Sequence, residues 1–150
     1  FQDGSIDAVI CVALLEHVEK PDAVIAEIKR VLKEQGRCLC YLPFMVPYHA
    51  APGDFHRWTE AGARAAFEGF SDVVVSVGAG PTSALLWVWQ EWAATMFSFG
   101  NRPLHDILLL LLMVSTWPFK LIDIALERLP LSCSAASGFV VQASIERKQE

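Results

Sequence analysis

The sequence predicts an α/β fold built on a largely parallel sheet, and three observations carry that expectation. Asp7 to His17, DAVICVALLEH, is a near-continuous apolar run that ends abruptly at Glu16-His17. A run of this length reads as a strand buried on both faces. Pro21 to Glu34 then shows apolar residues at helical spacing, and Arg37 to Phe44 is a second apolar run, so the order reads as a right-handed strand–helix–strand unit. The change from apolar to charged at the carboxyl end of the first strand is where open α/β sheets hold their ligands.

Each element follows from local chemistry. Phe1 to Ile6 is a lead-in with turn residues at Asp3-Gly4. Pro21 suits the first turn of a helix, where its missing N–H costs nothing. Val24, Ile28, Val31 and Leu32 form the face expected against the sheet, and Arg30 and Glu34 can pair across one turn on the wet side. Gly36 is the expected left-handed stop. Thr59 caps a short helix from Glu60 to Glu68, and Ser71 to Val77 is a third strand, expected as a neighbour of the first two. Gly78-Ala79-Gly80 is read as a turn: a lone G-x-G followed by Pro81 lacks the rest of a phosphate-binding fingerprint. Gly138 to Glu146 alternates like an edge strand and is expected antiparallel, beside the Ser71–Val77 strand.

The loop after the second strand, MVPYHAAPGDFHRWT, sets polar and aromatic side chains between prolines. At the carboxyl end of a central strand, Tyr48, Asp54 and Arg57 are candidate substrate residues. A local Asp54–Arg57 pair with the aromatics plugging the sheet end is the structural alternative.

From Thr82 to Pro130 the character changes. Leu85 to Phe99 reads as a helix carrying Trp87, Trp89 and Trp92 and a thin polar stripe of Gln90, Glu91, Thr95 and Ser98. Ile107 to Phe119 is uninterrupted and apolar, too short by itself to span a bilayer, which needs about 20 residues. Tryptophans beside such a segment suit a membrane interface, a cover over an apolar substrate, or a homodimer face. The domain boundaries expected are 1–80 for the sheet core, 81–136 for a hydrophobic helical insertion, and 137–150 for a closing strand and tail.

Hydrophobic residues make up 53% of the chain, concentrated after Pro81, and the net charge is −5 without a basic run, which argues against nucleic acid as partner. Cys11, Cys38 and Cys40 fall in strands expected to be buried; with Cys133 they show no metal-ligand spacing, so free thiols in a reducing cytosol and no metal site are expected. The chain opens on Phe1 and reads as a piece of a longer protein.

Taken together, Asp7, Leu15-Glu16-His17, Pro21, Glu27-Ile28-Lys29-Arg30-Val31-Leu32-Lys33, Gly36 and Pro43 resemble the class I S-adenosylmethionine-dependent methyltransferases, in their type 11-like form. The resemblance covers Phe1 to about Val77, with the closing strand as support. Pro47, His49, Pro52, Asp54, Phe55, Arg57 and Thr59 are similar to a subgroup carrying a hydrophobic helical insertion before its last strand. The chain departs at Glu34-Gln35-Gly36, where the family usually has Pro-Gly-Gly, and at Lys20, where an aspartate is common.

The resemblance implies a Rossmann-like doubly wound sheet of which this chain is the carboxyl-terminal half, its last strand antiparallel. The glycine-rich cofactor loop would lie upstream of Phe1, so the fragment alone is expected to be inactive. Val12, Ala13 and Leu14 would line the methionine side of S-adenosylmethionine. His17 and His49, the nearby groups that titrate near neutrality, are the candidate bases if the acceptor must lose a proton. The expected acceptor is a small or lipid-linked molecule, and the expected location is the cytoplasm with peripheral membrane contact through residues 85–129. The competing reading is a non-catalytic membrane-associated or interaction module on the same sheet.

Overall fold

The computed structural model describes residues 1–50 and 52–146. The chain divides into two compact units, one of Phe1–Phe44, Tyr48–Gly78 and Gly138–Glu150, the other of Met45–Pro47 and Ala79–Ser137. The tail that the sequence reading attaches to the last strand, 147–150, lies outside the described residues.

The first unit is a four-stranded sheet: β1 (Ile6–Val12), β2 (Leu32–Pro43), β3 (Ser71–Ala79) and β4 (Gly138–Ser144), in the order β1-β2-β4-β3. β1 and β2 run parallel with Cys11 opposite Cys40, and β4 is antiparallel to β2 with Val140 opposite Tyr41. The Ser144 hydroxyl donates to the Ser71 carbonyl and the Asp72 carboxylate, while Gly78 sits against Val140, so β3 is antiparallel to β4. The closing strand is therefore interior rather than edge-type, and it separates β3 from β2. Its alternation reflects two unequal faces: Phe139, Val141 and Ala143 are buried, Gln142 is exposed.

Helix α1 (Pro21–Val31) starts on its proline as expected but stops three residues short of Glu34. Leu32 has already turned extended and pairs with Ile6, so the tertiary ladder overrides the helical propensity of Lys33 and Glu34. The left-handed backbone falls on Gln35 (φ 62°) and not on Gly36. Gly36 is needed for closeness instead: a Cβ there would lie 2.7 Å from the Lys33 carbonyl oxygen. With Glu34 out of the helix, Arg30 pairs with Glu27 (Nη2–Oε1 2.6 Å) and with Asp3.

Helix α2 (Glu60–Ala66) is capped by Thr59, whose hydroxyl accepts from the Gly62 N–H at 3.1 Å. Both helices cover the same face of the sheet, in one core of Cys11, Ile25, Ile28, Leu42, Phe67 and Val141. Each fully buried large apolar side chain there contributes about 1.5–3 kcal/mol. On the opposite face Ile10 is 75% and Val74 55% exposed, so β1 is covered on one side only, contrary to its near-continuous apolar sequence.

The second unit is helical. The stretch read as a turn divides: Gly78 and Ala79 finish β3, and Gly80 caps α3 (Pro81–Ser98). The chain reverses through left-handed Phe99 and Gly100 into α4 (Arg102–Thr116), whose first turn is capped by the Asn101 side chain accepting from the Leu104 N–H at 3.0 Å. A 3-10 turn (Trp117–Ile122) and α5 (Asp123–Leu126) continue it. The apolar stretch read as too short thus belongs to a helical run of 25 residues, Arg102–Leu126, long and apolar enough by length and composition to cross a membrane. Asp123 is buried and accepts from the Thr82 and Ser83 N–H groups, each at 2.8 Å, fastening α5 to the amino terminus of α3.

Packing between α3 and α4 is inverted relative to a water-soluble hairpin. The buried side chains of α3 are Ala84, Gln90, Ala93, Ala94 and Ser98, and α4 buries none. Gln90 Nε2 donates to Thr116 Oγ1 at 2.5 Å, and the Thr116 hydroxyl donates to the Leu112 carbonyl at 2.6 Å. Meanwhile Trp89, Trp92, Leu110 and Trp117 are exposed.

Candidate active site

Two loops leave the carboxyl ends of parallel neighbours β1 and β2, and the first unit brings them together. After Val12 the chain passes through Ala13 and Leu14 into a 3-10 turn, Leu15–His17. Val12, Ala13 and Leu14 are all exposed at the strand end, and Ala13 is held at φ 49°. A non-glycine residue in that region costs about 1–3 kcal/mol and persists where its surroundings over-determine it. The three residues therefore present backbone and small apolar side chains to solvent where an α/β sheet holds its ligand.

The second loop folds back onto this turn. The Phe55 N–H donates to the Glu16 carbonyl at 2.7 Å, and the Trp58 N–H to the Pro43 carbonyl at 3.0 Å. His17 Nδ1 lies 2.5 Å from the Gly53 carbonyl, and His56 Nε2 lies 3.3 Å from that of Glu19. His17 is thus bonded to backbone, but to backbone 36 residues away rather than within its own turn.

The candidate bases meet. The His17 and His49 rings are edge to face, with centroids 5.3 Å apart. Beneath them Glu16 is 1% exposed; its Oε1 is 3.8 Å from His17 Nε2, and its Oε2 has no hydrogen-bond partner among the described residues. One ligand atom from each of Glu16, His17 and His49 lies within 4.8 Å of the others, a grouping able to hold a metal ion. Sequence reasoning expected no metal site and gave Glu16 no part as a ligand. The adjacent Glu-His was visible, but nothing in the spacing marks His49 as its third member.

The candidate substrate residues separate. Tyr48 is exposed at the rim. Asp54 is enclosed: it takes both Nη atoms of Arg57, and its Oδ2 accepts the His49 backbone N–H at 2.9 Å. The Arg57 hydrogen bonds hold the Asp54 carboxyl well below the usual carboxylate range, against the opposing effect of burial. The local pair allowed by the sequence is therefore present, and its immediate task is to set the loop that carries His49. A depression on the uncovered sheet face, lined by Ala8, Ile10, Leu39 and Val74, is separate from this cluster.

With this geometry in place, comparison with known proteins is informative. Residues 1–40, which include β1, the Glu16-His17 turn and α1, match the family described as a methyltransferase domain. No curated protein matches the chain. Among solved structures, the phosphoethanolamine N-methyltransferase 2 of Haemonchus contortus in complex with S-adenosyl-L-methionine superposes with a TM-score of 0.55 at 17% identity, covering 98% of this chain and 35% of that one. The same enzyme with phosphomonomethylethanolamine and S-adenosylhomocysteine gives 0.51 at 19% identity, over 99% and 35%. An S-adenosylmethionine-dependent methyltransferase from Archaeoglobus fulgidus gives 0.52 at 12% identity, over 95% and 60%. The chain spans about a third of the Haemonchus enzyme's length. The fold is the α/β fold of these enzymes, and the match bears out the resemblance to class I methyltransferases drawn from the motifs.

Proposed function

We propose that this chain forms the acceptor side of an S-adenosylmethionine-dependent methyltransferase acting on an apolar or lipid-linked molecule at the cytoplasmic face of a membrane. One observation carries the catalytic part: the loops at the carboxyl ends of β1 and β2 are hydrogen-bonded into one wall, with the family match running through the first of them. The residues at the strand end suit the cofactor, because exposed Val12, Ala13 and Leu14 offer a small apolar wall for a methionine chain. When bound, S-adenosylmethionine supplies an electrophilic methyl group on sulfonium sulfur.

The chain's own contribution is to place the acceptor in line and to exclude water. His17 and His49 would take a proton from the acceptor; in support, the ring of His17 is bonded to the Gly53 carbonyl and the backbone of His49 to Asp54. Tyr48, exposed on the same loop, would contact the acceptor. Asp54 and Arg57 act on it indirectly, by holding the loop.

The location rests on the inverted packing of α3 and α4. Small and polar residues between helices, with large apolar residues outward, is how helices associate when their surroundings are lipid. The alternative occupant of that surface is a second copy of the chain.

Binding of labelled S-adenosylmethionine to the full-length protein, with methyl transfer assayed against lipid extracts, tests the reading. Saturable binding and label in an extracted product are expected. An absence of both in folded protein would leave a non-catalytic module on the same sheet. His17→Ala and His49→Ala should lower turnover and change its pH profile; an unchanged profile in both removes them as bases.

A further inference from the structure

We propose that Glu16, His17 and His49 form a binding site for a divalent transition-metal ion, with zinc as its best-suited occupant. Glu16 is the least satisfied group of the cluster. A carboxylate 1% exposed whose Oε2 has no hydrogen-bond partner among the described residues carries a large desolvation cost. A cation supplies what that oxygen lacks.

The neighbours are of the right kind. Two imidazoles and one carboxylate are the protein donor set of catalytic zinc sites, which keep remaining positions for water or substrate. Their ligand atoms lie within 4.8 Å of one another, and His17 Nε2 is already 3.8 Å from Glu16 Oε1. Ligands about 2.0–2.2 Å from a shared ion sit ~3.5 Å apart, so modest side-chain rotation closes the set.

The surroundings select the atoms. With Nδ1–H of His17 donating to the Gly53 carbonyl, Nε2 is left as the lone-pair nitrogen on the Glu16 side. This is the arrangement by which metal-bound histidines are usually oriented. His49 is held by its backbone bond to Asp54, with its own Nδ1 3.7 Å from Asp54 Oδ2, and Asp54 is fixed in turn by Arg57. The imidazoles are 16% and 32% exposed, so the ion would be reached from solvent while its anionic ligand is not.

A metal here would draw an oxygen or phosphate donor of the acceptor to the carboxyl ends of β1 and β2, which deepens the reading above without depending on methyl transfer. It also competes with part of that reading: a nitrogen bound to metal is not a base. Metal occupancy and free-base catalysis exclude each other at Nε2 of His17.

The test uses metal-free protein, with no cofactor added. Zinc is titrated calorimetrically, cobalt(II) is followed by its visible absorption, and each thermal midpoint is read with and without zinc. One ion per chain is expected, with a raised midpoint. His17→Ala and His49→Ala should each weaken binding by at least ~100-fold and abolish the midpoint shift. Glu16→Gln should also weaken it, and because it removes a buried charge it need not cost stability without metal. His105→Ala, on the helical unit, should leave binding unchanged. Binding that survives in both the His17 and His49 variants, or wild-type protein that takes up no zinc at millimolar concentration, overturns the site and leaves the Glu16 charge balanced by the nearby Arg57. Since no step reads methyl transfer, failure here is distinguishable from failure of the catalytic proposal.

Discussion

The Arg57 guanidinium closes a two-pronged ion pair on Asp54, Nη2 lying 2.6 Å from Oδ2, and the same oxygen accepts the backbone N–H of His49 at 2.9 Å. One carboxylate thus ties the position of a candidate catalytic residue to a charge pair three residues on. Because the folded-state pKa of Asp54 is lowered, the pair contributes stability that is present above the unfolded value of about 3.9 and is lost as pH falls below it. Asp54→Asn should destabilise by about 1–3 kcal/mol at pH 7, the range for breaking a largely buried charged hydrogen bond. Urea unfolding of wild type and variant between pH 7 and pH 3 should show the gap narrowing below pH 4. A gap independent of pH would mean that the pair does not stabilise the fold.

The strand–helix–strand unit was legible because each of its signals is local: Pro21 starts the helix, an apolar run marks each strand, and Thr59 caps the next helix. What escaped was set by partners distant in sequence. α1 ends early because Leu32 pairs with Ile6, an event no propensity at Lys33 or Glu34 announces. β4 enters between β2 and β3 after a helical excursion of nearly 60 residues, from Ala79 to Ser137. At the site, His17 and His49 could be singled out as titratable loop residues, but Glu16 gains its meaning only in the fold, where its carbonyl accepts from the Phe55 N–H and its side chain is buried. The polar stripe of α3 was visible as well, but only Gln90 and Ser98 of it are buried while Thr95 is exposed, and Gln90 finds its partner in Thr116, 26 residues on.

Ala13 tests the cofactor wall. Its left-handed backbone (φ 49°) already carries strain, so Ala13→Gly should leave the fold intact and stabilise it by about 1 kcal/mol. Ala13→Trp keeps the strain and fills the space at the strand end. In full-length protein with an unchanged circular dichroism spectrum, it should weaken S-adenosylmethionine affinity at least about tenfold, corresponding to 1.4 kcal/mol. Equal affinity in the tryptophan and glycine variants would move the cofactor away from Val12, Ala13 and Leu14.

The thiols offer a check on the sheet. Cys11, Cys38 and Cys40 are buried together where β1 and β2 pair, whereas Cys133 is partly exposed. Ellman's reagent should modify one thiol rapidly in native protein and the other three only on unfolding, since reaction needs an accessible thiolate. Cys133→Ser should abolish the rapid phase. Fast modification of more than one thiol would mean that the β1–β2 pairing opens in solution.

Gln90 and Thr116 give the membrane reading its sharpest test. Their hydrogen bond is enclosed between α3 and α4 while Trp89, Trp92 and Leu110 point outward, an exposed apolar surface that water does not favour. Burying such a surface is worth roughly 25 cal/mol per Å², so a few hundred Å² suffices for reversible attachment. Protein mixed with liposomes should float with them, and its tryptophan emission should shift to the blue. Leu110→Asp combined with Trp92→Ser should reduce both effects, whereas Gln90→Leu should retain flotation and loosen the hairpin. A carbonate wash then separates the modes of attachment: release indicates peripheral docking, and retention indicates that the Arg102–Leu126 run is embedded. Protein that stays in the soluble fraction as a dimer, with emission indifferent to lipid, would assign the same surface to a second copy of the chain.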